Sequence, residues 1–373
     1  MYDITLDQQN VNLDAKANTE LLYSSSDTSI CSVTESGTLL PKKTGTVTIT
    51  ISAGATNTAV VNRKYVTVNI SGASVYRVFG NTRYETSTEI ADAVVELNGT
   101  KVDSIIVANG TNFADALAGS YLAAKKNAPI LMTDGKNSTA IKTYIKNNVT
   151  AGGTVYILGG TAAVSDKVLS GLTGYTVKRL AGADRYATNL EILKEAGVTN
   201  EEIIVATGTG FADSLSASAS GKPILLVGKK LSAEQKAYLA SVQTQQYYVI
   251  GGTSAVSVAL ENEVKTYGEV KRIGGSTRYQ TSVMVAETFF NNATSAVVAY
   301  GRNFPDGLCG GPLAYAMEAP LILTENSKAA DAVAFTTTRK IASGVVLGGA
   351  GLVSDNTTRK IFGLNSGSAI VKK

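Results

Sequence analysis

The residues best suited to chemistry are six arginines and three aspartates that recur in a fixed pattern. Arg77 and Arg83, Arg179 and Arg185, and Arg272 and Arg278 form three pairs with the same spacing. Asp115, Asp213 and Asp306 follow them, 98 and then 93 residues apart. A guanidinium is planar and permanently charged, and its fork of donors matches two oxygens of a phosphate or carboxylate. The pattern therefore points to anion binding. A second use is open for Arg83, Arg185 and Arg278. Each could pair with the aspartate of its own stretch (Arg83 with Asp115, Arg185 with Asp213, Arg278 with Asp306), because an unpaired buried charge is costly. Asn112 and Asn303 are candidate readers of hydroxyl groups, and Gly210 stands at that place in the middle copy.

What is missing narrows the chemistry. The chain has no histidine, so Ser-His-Asp and Cys-His nucleophiles and imidazole metal ligands are excluded. Cys31 and Cys309 lie far apart and read as isolated small apolar side chains, with neither a disulfide nor a metal site expected. An aspartate present in three copies fits three equal positions better than one active site, so no enzymatic activity is expected. The net charge is +4, with −1 over residues 1–72 and +5 beyond. That permits an anionic partner and falls short of the basic stripe of a nucleic-acid binder. No apolar run approaches the ~18 residues of a membrane span. The start at Met1 lacks a signal-peptide pattern, which leaves a cytosolic protein and a mature or trimmed exported piece both open.

Two kinds of element must position these residues. Over residues 1–70, Val47, Ile49 and Ile51 alternate with Thr46, Thr48 and Thr50, and Val66, Val68 and Ile70 repeat the pattern. Period two with Thr and Val predicts half-buried strands and a small β-sandwich. Residues 71–74 read as a linker. From Val75 onward the chain repeats itself through four ordered signatures. The first runs from Arg77 through Gly80, Arg83 and Tyr84, and returns at Arg179 and Arg272. The second holds Gly110, Phe113 and Asp115, then Gly208, Phe211 and Asp213, then Gly301, Phe304 and Asp306. The third begins at Pro129, Pro223 and Pro320, and the fourth at Gly159-Gly160, Gly251-Gly252 and Gly348-Gly349.

Within a copy, Ile105–Val107, Pro129–Met132 and Val155–Leu158 are short apolar runs suited to strands buried on both faces of a parallel sheet. Thr86 and Glu89 predict a capping box, repeated at Thr188 and Glu191. Ile90, Val94 and Leu97 should share a buried helix face, and residues 114–125 read as a further helix. Strand-helix alternation predicts a doubly wound, Rossmann-like sheet. No nucleotide or other cofactor is expected in it. No copy completes the glycine fingerprint, and the aspartate in the likely first helical turn would repel phosphate. The paired glycines and the proline-led runs are read as structural.

The four motifs together resemble the type 2 cell-wall binding repeat of clostridia and related Gram-positive bacteria, over about residues 75–371. Tyr23 to Val33, Ser36-Gly37 and Gly45 to Ile49 resemble a group 2 bacterial immunoglobulin-like domain. The resemblance implies a multidomain chain: a small all-β Ig-like sandwich over 1–72, then Rossmann-like α/β repeats over 75–176, 177–269 and 270–373. It implies that the repeats are arranged with pseudo-threefold symmetry as an intramolecular pseudo-trimer. It further implies an exported, S-layer-associated surface protein of a Gram-positive bacterium, held non-covalently on the wall by an anionic secondary polysaccharide. Arg77, Arg83, Arg179, Arg185, Arg272, Arg278, Asn112 and Asn303 are the candidate polymer contacts. Two alternatives stay open: an adhesin or lattice protein that binds another protein, and the non-catalytic part of a cell-wall hydrolase.

Overall fold

Alternating Val, Ile and Thr residues form two packed sheets in the N-terminal part of the computed structural model, which describes residues 1–6, 8, 11–54, 62–72, 74–366 and 368–373. The strands are β1 (Tyr2–Thr5), β2 (Val11–Asn12), β3 (Leu21–Ser25), β4 (Cys31–Val33), β5 (Thr38–Pro41), β6 (Gly45–Ala53) and β7 (Asn62–Ser71). One sheet has the order β1-β7-β6-β3 and the other β2-β5-β4. Val47, Ile49, Ile51, Val66, Val68 and Ile70 point into the core beside Leu39 and Cys31, as period two requires. Ser71 still belongs to β7, and β8 starts at Val75. Of the expected linker, Ala73 lies outside the described residues.

The rest is three α/β units. The first contains β8 (Val75–Val78), α1 (Arg83–Leu97), β9 (Val102–Asn109), α2 (Ala114–Ala118), α3 (Ser120–Lys126), β10 (Ile130–Thr133), α4 (Ser138–Asn148) and β11 (Val149–Leu158). The second contains β12 (Thr176–Leu180), α5 (Arg185–Ala196), β13 (Ile203–Thr207), α6 (Ala212–Ala217), β14 (Ile224–Val227), α7 (Ala233–Ser241), β15 (Gln246–Ile250) and α8 (Val258–Val264). The third contains β16 (Glu269–Ile273), α9 (Arg278–Phe289), β17 (Ala296–Tyr300), α10 (Pro305–Ala316), β18 (Leu321–Thr324), α11 (Ala330–Arg339), β19 (Gly344–Leu347), α12 (Asp355–Phe362) and β20 (Val371–Lys372). The proline-led runs become β10, β14 and β18, which are buried along their whole length. Each proline lacks an N–H, yet its carbonyl accepts from Ile106, Ile204 or Val297 in the neighbouring strand.

The sheets cut across the sequence repeats. Their orders are β10-β9-β11-β12, β14-β13-β15-β16 and β18-β17-β19-β8-β20, and every pairing in them is parallel. The strand that opens the second repeat completes the first sheet, and the strand that opens the third completes the second. β8, which opens the first repeat, pairs with β19 from Gly344↔Val75 to Leu347↔Val78. The chain thus closes on itself. One buried cluster holds residues of all three repeats, among them Leu117, Leu215, Leu308 and Cys309. Both cysteines are free and buried.

Three local expectations change. α1 is capped by Thr82, not Thr86, and α5 by Asp184. Thr86, Thr188 and Thr281 sit one turn inside, where each hydroxyl accepts from the backbone N–H of Gly80, Gly182 or Gly275. The threonine thereby ties the preceding loop to the helix. Leu97, the last residue of its helix, is 51% exposed, although Ile90 and Val94 are buried as expected. The helix expected over residues 114–125 is divided at Gly119 into α2 and α3.

Ring closure predicts long-range consequences for β8. A chain that starts at residue 79 loses the burial of Val75 and Val78, worth on the order of 3–6 kcal/mol together. Amide exchange should then accelerate in β19 and α12, more than 260 residues away in sequence, while β13 and β14 keep their protection. Exchange that rises no more in β19 than in β13 would show that β8 does not hold the third sheet.

Candidate functional site

Each junction between repeats is built by two arginines with different tasks. The first lies at the end of the lent strand. Arg77 donates to the carbonyls of Gly348 (2.9 Å) and Val353 (2.8 Å) and pairs with Asp355 (2.8 Å). Arg179 does the same for Gly159 (2.6 Å), Val164 (2.8 Å) and Asp166 (2.7 Å). Arg272 does so for Gly251 (2.7 Å), Val256 (2.8 Å) and Glu261 (2.7 Å). These forks close around the paired-glycine loop of the repeat with which they share a sheet. Arg77 is only 4% exposed. Its charge is buried and its terminal nitrogens are bonded inside the chain, so it clamps the loop. Arg179 and Arg272 are half-buried and bonded in the same way.

The second arginine opens the helix that follows. Arg83, Arg185 and Arg278 each donate to the carbonyl of the signature glycine in their own repeat: Gly110 (2.8 Å), Gly208 (2.6 Å) and Gly301 (2.8 Å). Each guanidinium also stacks over a phenylalanine of the preceding repeat, in the order Arg83 over Phe304, Arg185 over Phe113 and Arg278 over Phe211, at 6.0, 5.5 and 5.5 Å. The three phenylalanines meet with centroid separations of 6.0, 5.8 and 5.8 Å. Sequence reasoning passed over these rings, although a phenylalanine occupies the same place in every copy.

The aspartates follow the same cyclic order. Asp306 feels the charge of Arg83, Asp115 that of Arg185, and Asp213 that of Arg278. Pairing inside one repeat, the alternative considered for these residues, is replaced by electrostatic coupling across the junction. Burial raises all three carboxyls above their ordinary range, and the arginine across the junction opposes it. Asp306 is pushed up to about 6. The paired glycines make room for these groups. Gly159, Gly251 and Gly348 have φ of +91°, +103° and +85°, and a Cβ there would strike the carboxylate of Asp115, Asp213 or Asp306. At Gly110, Gly208 and Gly301 a Cβ would strike the ring of Tyr84, Tyr186 or Tyr279 at 2.6 Å, so the tyrosines are packing residues.

Clefts lie at the junction of repeats 2 and 3 and at that of repeats 3 and 1, along the C-terminal edges of the strands, where ligands of doubly wound sheets collect. Between repeats 2 and 3 a cleft of about 440 Å³ is lined by Phe211, Asp213, Gly252, Thr277 and Arg278, among others. Its counterpart between repeats 3 and 1, about 300 Å³, is lined by Thr82, Arg83, Asn303, Asp306 and Gly349. By position, the corresponding residues between repeats 1 and 2 are Asn112, Asp115, Gly160, Asp184 and Arg185. Asn112 and Asn303 are exposed, and their side-chain oxygens accept locally from Ala114 and Phe304 N–H. Such clefts offer a cation, hydroxyls and a helix N-terminus, a combination suited to holding an anionic or hydroxylated group. Among the described residues, no group of three His, Cys, Asp or Glu side chains could hold a metal ion, and no helix is long and apolar enough to cross a membrane.

A family model described as cell wall binding domain 2 matches residues 77–169, 179–261 and 272–358. Among curated proteins, the chain is 31% identical over 268 residues to the N-acetylmuramoyl-L-alanine amidase LytC of Bacillus subtilis (strain 168), covering 70% of this chain and 52% of that protein. It is 33% identical over 245 residues to the amidase enhancer of the same organism, covering 64% and 33%. The chain thus spans about half the length of one relative and a third of the other. Among solved structures, Cwp8 from Clostridium difficile aligns with a TM-score of 0.72 at 23% identity, over 98% of this chain and 69% of that one. Cwp6 from the same organism aligns with a TM-score of 0.68 at 19% identity, over 99% and 68%. These alignments show a shared fold.

The position of Asp306 predicts a pH dependence. Its folded-state pKa of about 6 exceeds its ordinary 3.8. Between those values the folded chain holds a proton that the unfolded chain has lost, so this group's contribution to stability falls as pH rises through the window. Asp306→Asn should remove that fall. Urea midpoints at pH 4.5 and 7.5 test it: the variant gains on the native chain at the higher pH, and an equal change in both would refute it.

Proposed function

The chain belongs to the cell wall binding domain 2 family, and on that premise we propose that it anchors an exported protein non-covalently to a Gram-positive cell wall by holding an anionic secondary polysaccharide in the clefts between its repeats. Cell-wall binding and a surface location follow from the family. The observation that carries the finer reading is the recurrence of one arrangement at successive junctions. An arginine, a capping residue and a paired-glycine loop converge on a cleft at a sheet's C-terminal edge. A polymer repeats its charged group, so several modest sites on one rigid body raise avidity by effective concentration.

We read Arg83, Arg185 and Arg278 as the charged groups of these sites, with Asn112 and Asn303 beside them, and Arg77, Arg179 and Arg272 as the residues that hold the sites in shape. The three repeats form an intramolecular pseudo-trimer, a reading supported by the near-equal separations of Phe113, Phe211 and Phe304. We assign the repeats to 75–176, 177–269 and 270–373. Residues 1–72 we read as a group 2 bacterial Ig-like spacer, supported by their two packed sheets. The chain itself carries no catalysis in this reading. The match to about half of an amidase favours a second reading of the same module, as the wall-binding part of a hydrolase.

Cosedimentation with purified Gram-positive walls tests the proposal. The chain should bind native walls and lose most binding after acid extraction of the anionic polymer. Exchanging Arg83, Arg185 and Arg278 together for glutamate, in a variant whose melting curve shows it folded, should have the same effect. Undiminished binding to stripped walls, or by the folded variant, would count against it.

A further inference from the structure

The three junctions share one design and differ in charge at the residue that caps the cleft-facing helix. The residue before the second arginine caps the helix that faces the cleft: Thr82 for α1, Asp184 for α5 and Thr277 for α9. All three do the same structural work. Thr82 and Thr277 accept from the N–H groups of Glu85 and Gln280, each at 3.2 Å. Asp184 accepts from Tyr186 and Ala187 at 2.9 and 2.8 Å. Thr82 and Thr277 line the two clefts described above. At the remaining junction the equivalent place holds an exposed carboxylate beside Arg185.

The charge balance of the junctions differs accordingly. Among the residues that line the cleft between repeats 2 and 3, the charged groups are Asp213 and Arg278; between repeats 3 and 1 they are Asp306 and Arg83. Between repeats 1 and 2, Asp115 and Arg185 are joined by Asp184. The field of Asp184 also reaches Glu234, near the start of α7. Acidic residues near the other two arginines lie outside the cleft linings; among them Glu85, in the first turn of α1, accepts from the N–H of Asn81 at 2.8 Å. Asp134 acts on Tyr84, and Glu325 is bound by Arg302. A helix N-terminus favours an anion, and a carboxylate that already caps it takes up that favour.

We propose that the anionic polymer is held at two of the three junctions, those between repeats 2 and 3 and between repeats 3 and 1, and that Asp184 keeps it out of the third. This rests on the reading of the clefts as the polymer sites. Asp184 is thus a specificity-determining residue, and the wall is engaged at two points on one side of the ring. Gly210 stands at the cleft between repeats 2 and 3 where the other copies have asparagine.

Because Asp and Thr are both good caps, the charge can be moved between junctions with little cost to folding. The variants are Asp184→Thr, Thr82→Asp and Thr277→Asp in the full chain, with Thr143→Asp on the exposed surface of α4 as a control for net charge. Binding to purified Gram-positive walls is measured at low and high salt. Thr82→Asp and Thr277→Asp should each weaken binding by about two- to fivefold at low salt, as expected for one charge at a helix terminus, with the effect shrinking as salt rises. Asp184→Thr should tighten binding by a similar factor, and Thr143→Asp should change it less than any of them. If Asp184→Thr leaves affinity unchanged while the two threonine variants weaken it, the clefts bind the polymer and the assignment to Asp184 is overturned. If neither threonine variant weakens binding that acid extraction of the walls abolishes, the clefts are not the sites and the underlying reading fails.

Discussion

The fork of one arginine around the loop of another repeat is the interaction on which the rest of the molecule depends. Arg77, Arg179 and Arg272 each satisfy two carbonyls and a carboxylate that belong to a neighbouring unit. A buried carbonyl left without a donor costs about 1–3 kcal/mol, and a buried guanidinium without acceptors costs more. The buried loop carbonyls therefore need the neighbouring arginine, and the buried Arg77 needs its loop. The clamp also fixes the paired-glycine loop, and that loop forms one wall of the cleft. Where the second arginine points is then settled by what it stacks on. Its phenylalanine comes from the preceding repeat, so the cleft takes its shape only after two repeats have docked.

Sharing a strand extends the same dependence along the backbone. A sheet of three strands would present β11, β15 or β19 as an edge, with open hydrogen-bonding groups. The strand that opens the next repeat covers that edge in each case, and β8 covers the last. A chain of such units without closure would leave one edge bare at one end and one arginine without a loop at the other. Closure removes both defects. It also explains why Val75 and Val78, near the N-terminal end of the ring, are as buried as the centre of the third sheet.

Most of the architecture was legible in the sequence, because strands and helices leave local periods and the four motifs return in order. The proline-led strands and the two-sheet N-terminal unit could both be read from neighbouring residues. What escaped was which copy serves which. Spacing within a repeat is a local quantity, and it suggested that Arg83 would meet Asp115. The structure couples Arg83 to Asp306, more than 200 residues away. With three similar copies, the motifs alone do not distinguish pairing within a repeat from pairing around a ring. The capping misreading has a similar origin. Thr86 carries the right side chain one turn too late, and only its bond to Gly80 reveals its use. The phenylalanine triad was hidden because each ring reads as an ordinary apolar residue until three of them meet.

On the proposed reading, rigidity gives the closed ring its functional sense. Avidity toward a polymer requires that the sites keep a spacing the polymer can match, since effective concentration collapses when simultaneous engagement is sterically excluded. Repeats joined by flexible linkers would leave that spacing to chance. Here each junction is tied by a shared strand, an arginine clamp and a common aromatic centre, so moving the clefts relative to one another would break the sheets. The same rigidity lets the clefts diverge. Once the scaffold no longer depends on the residue at a cleft mouth, that position can hold Thr82, Asp184 or Thr277 with the helix capped in every case. A duplicated fold can thus keep three equal supports while its three surfaces acquire different charge.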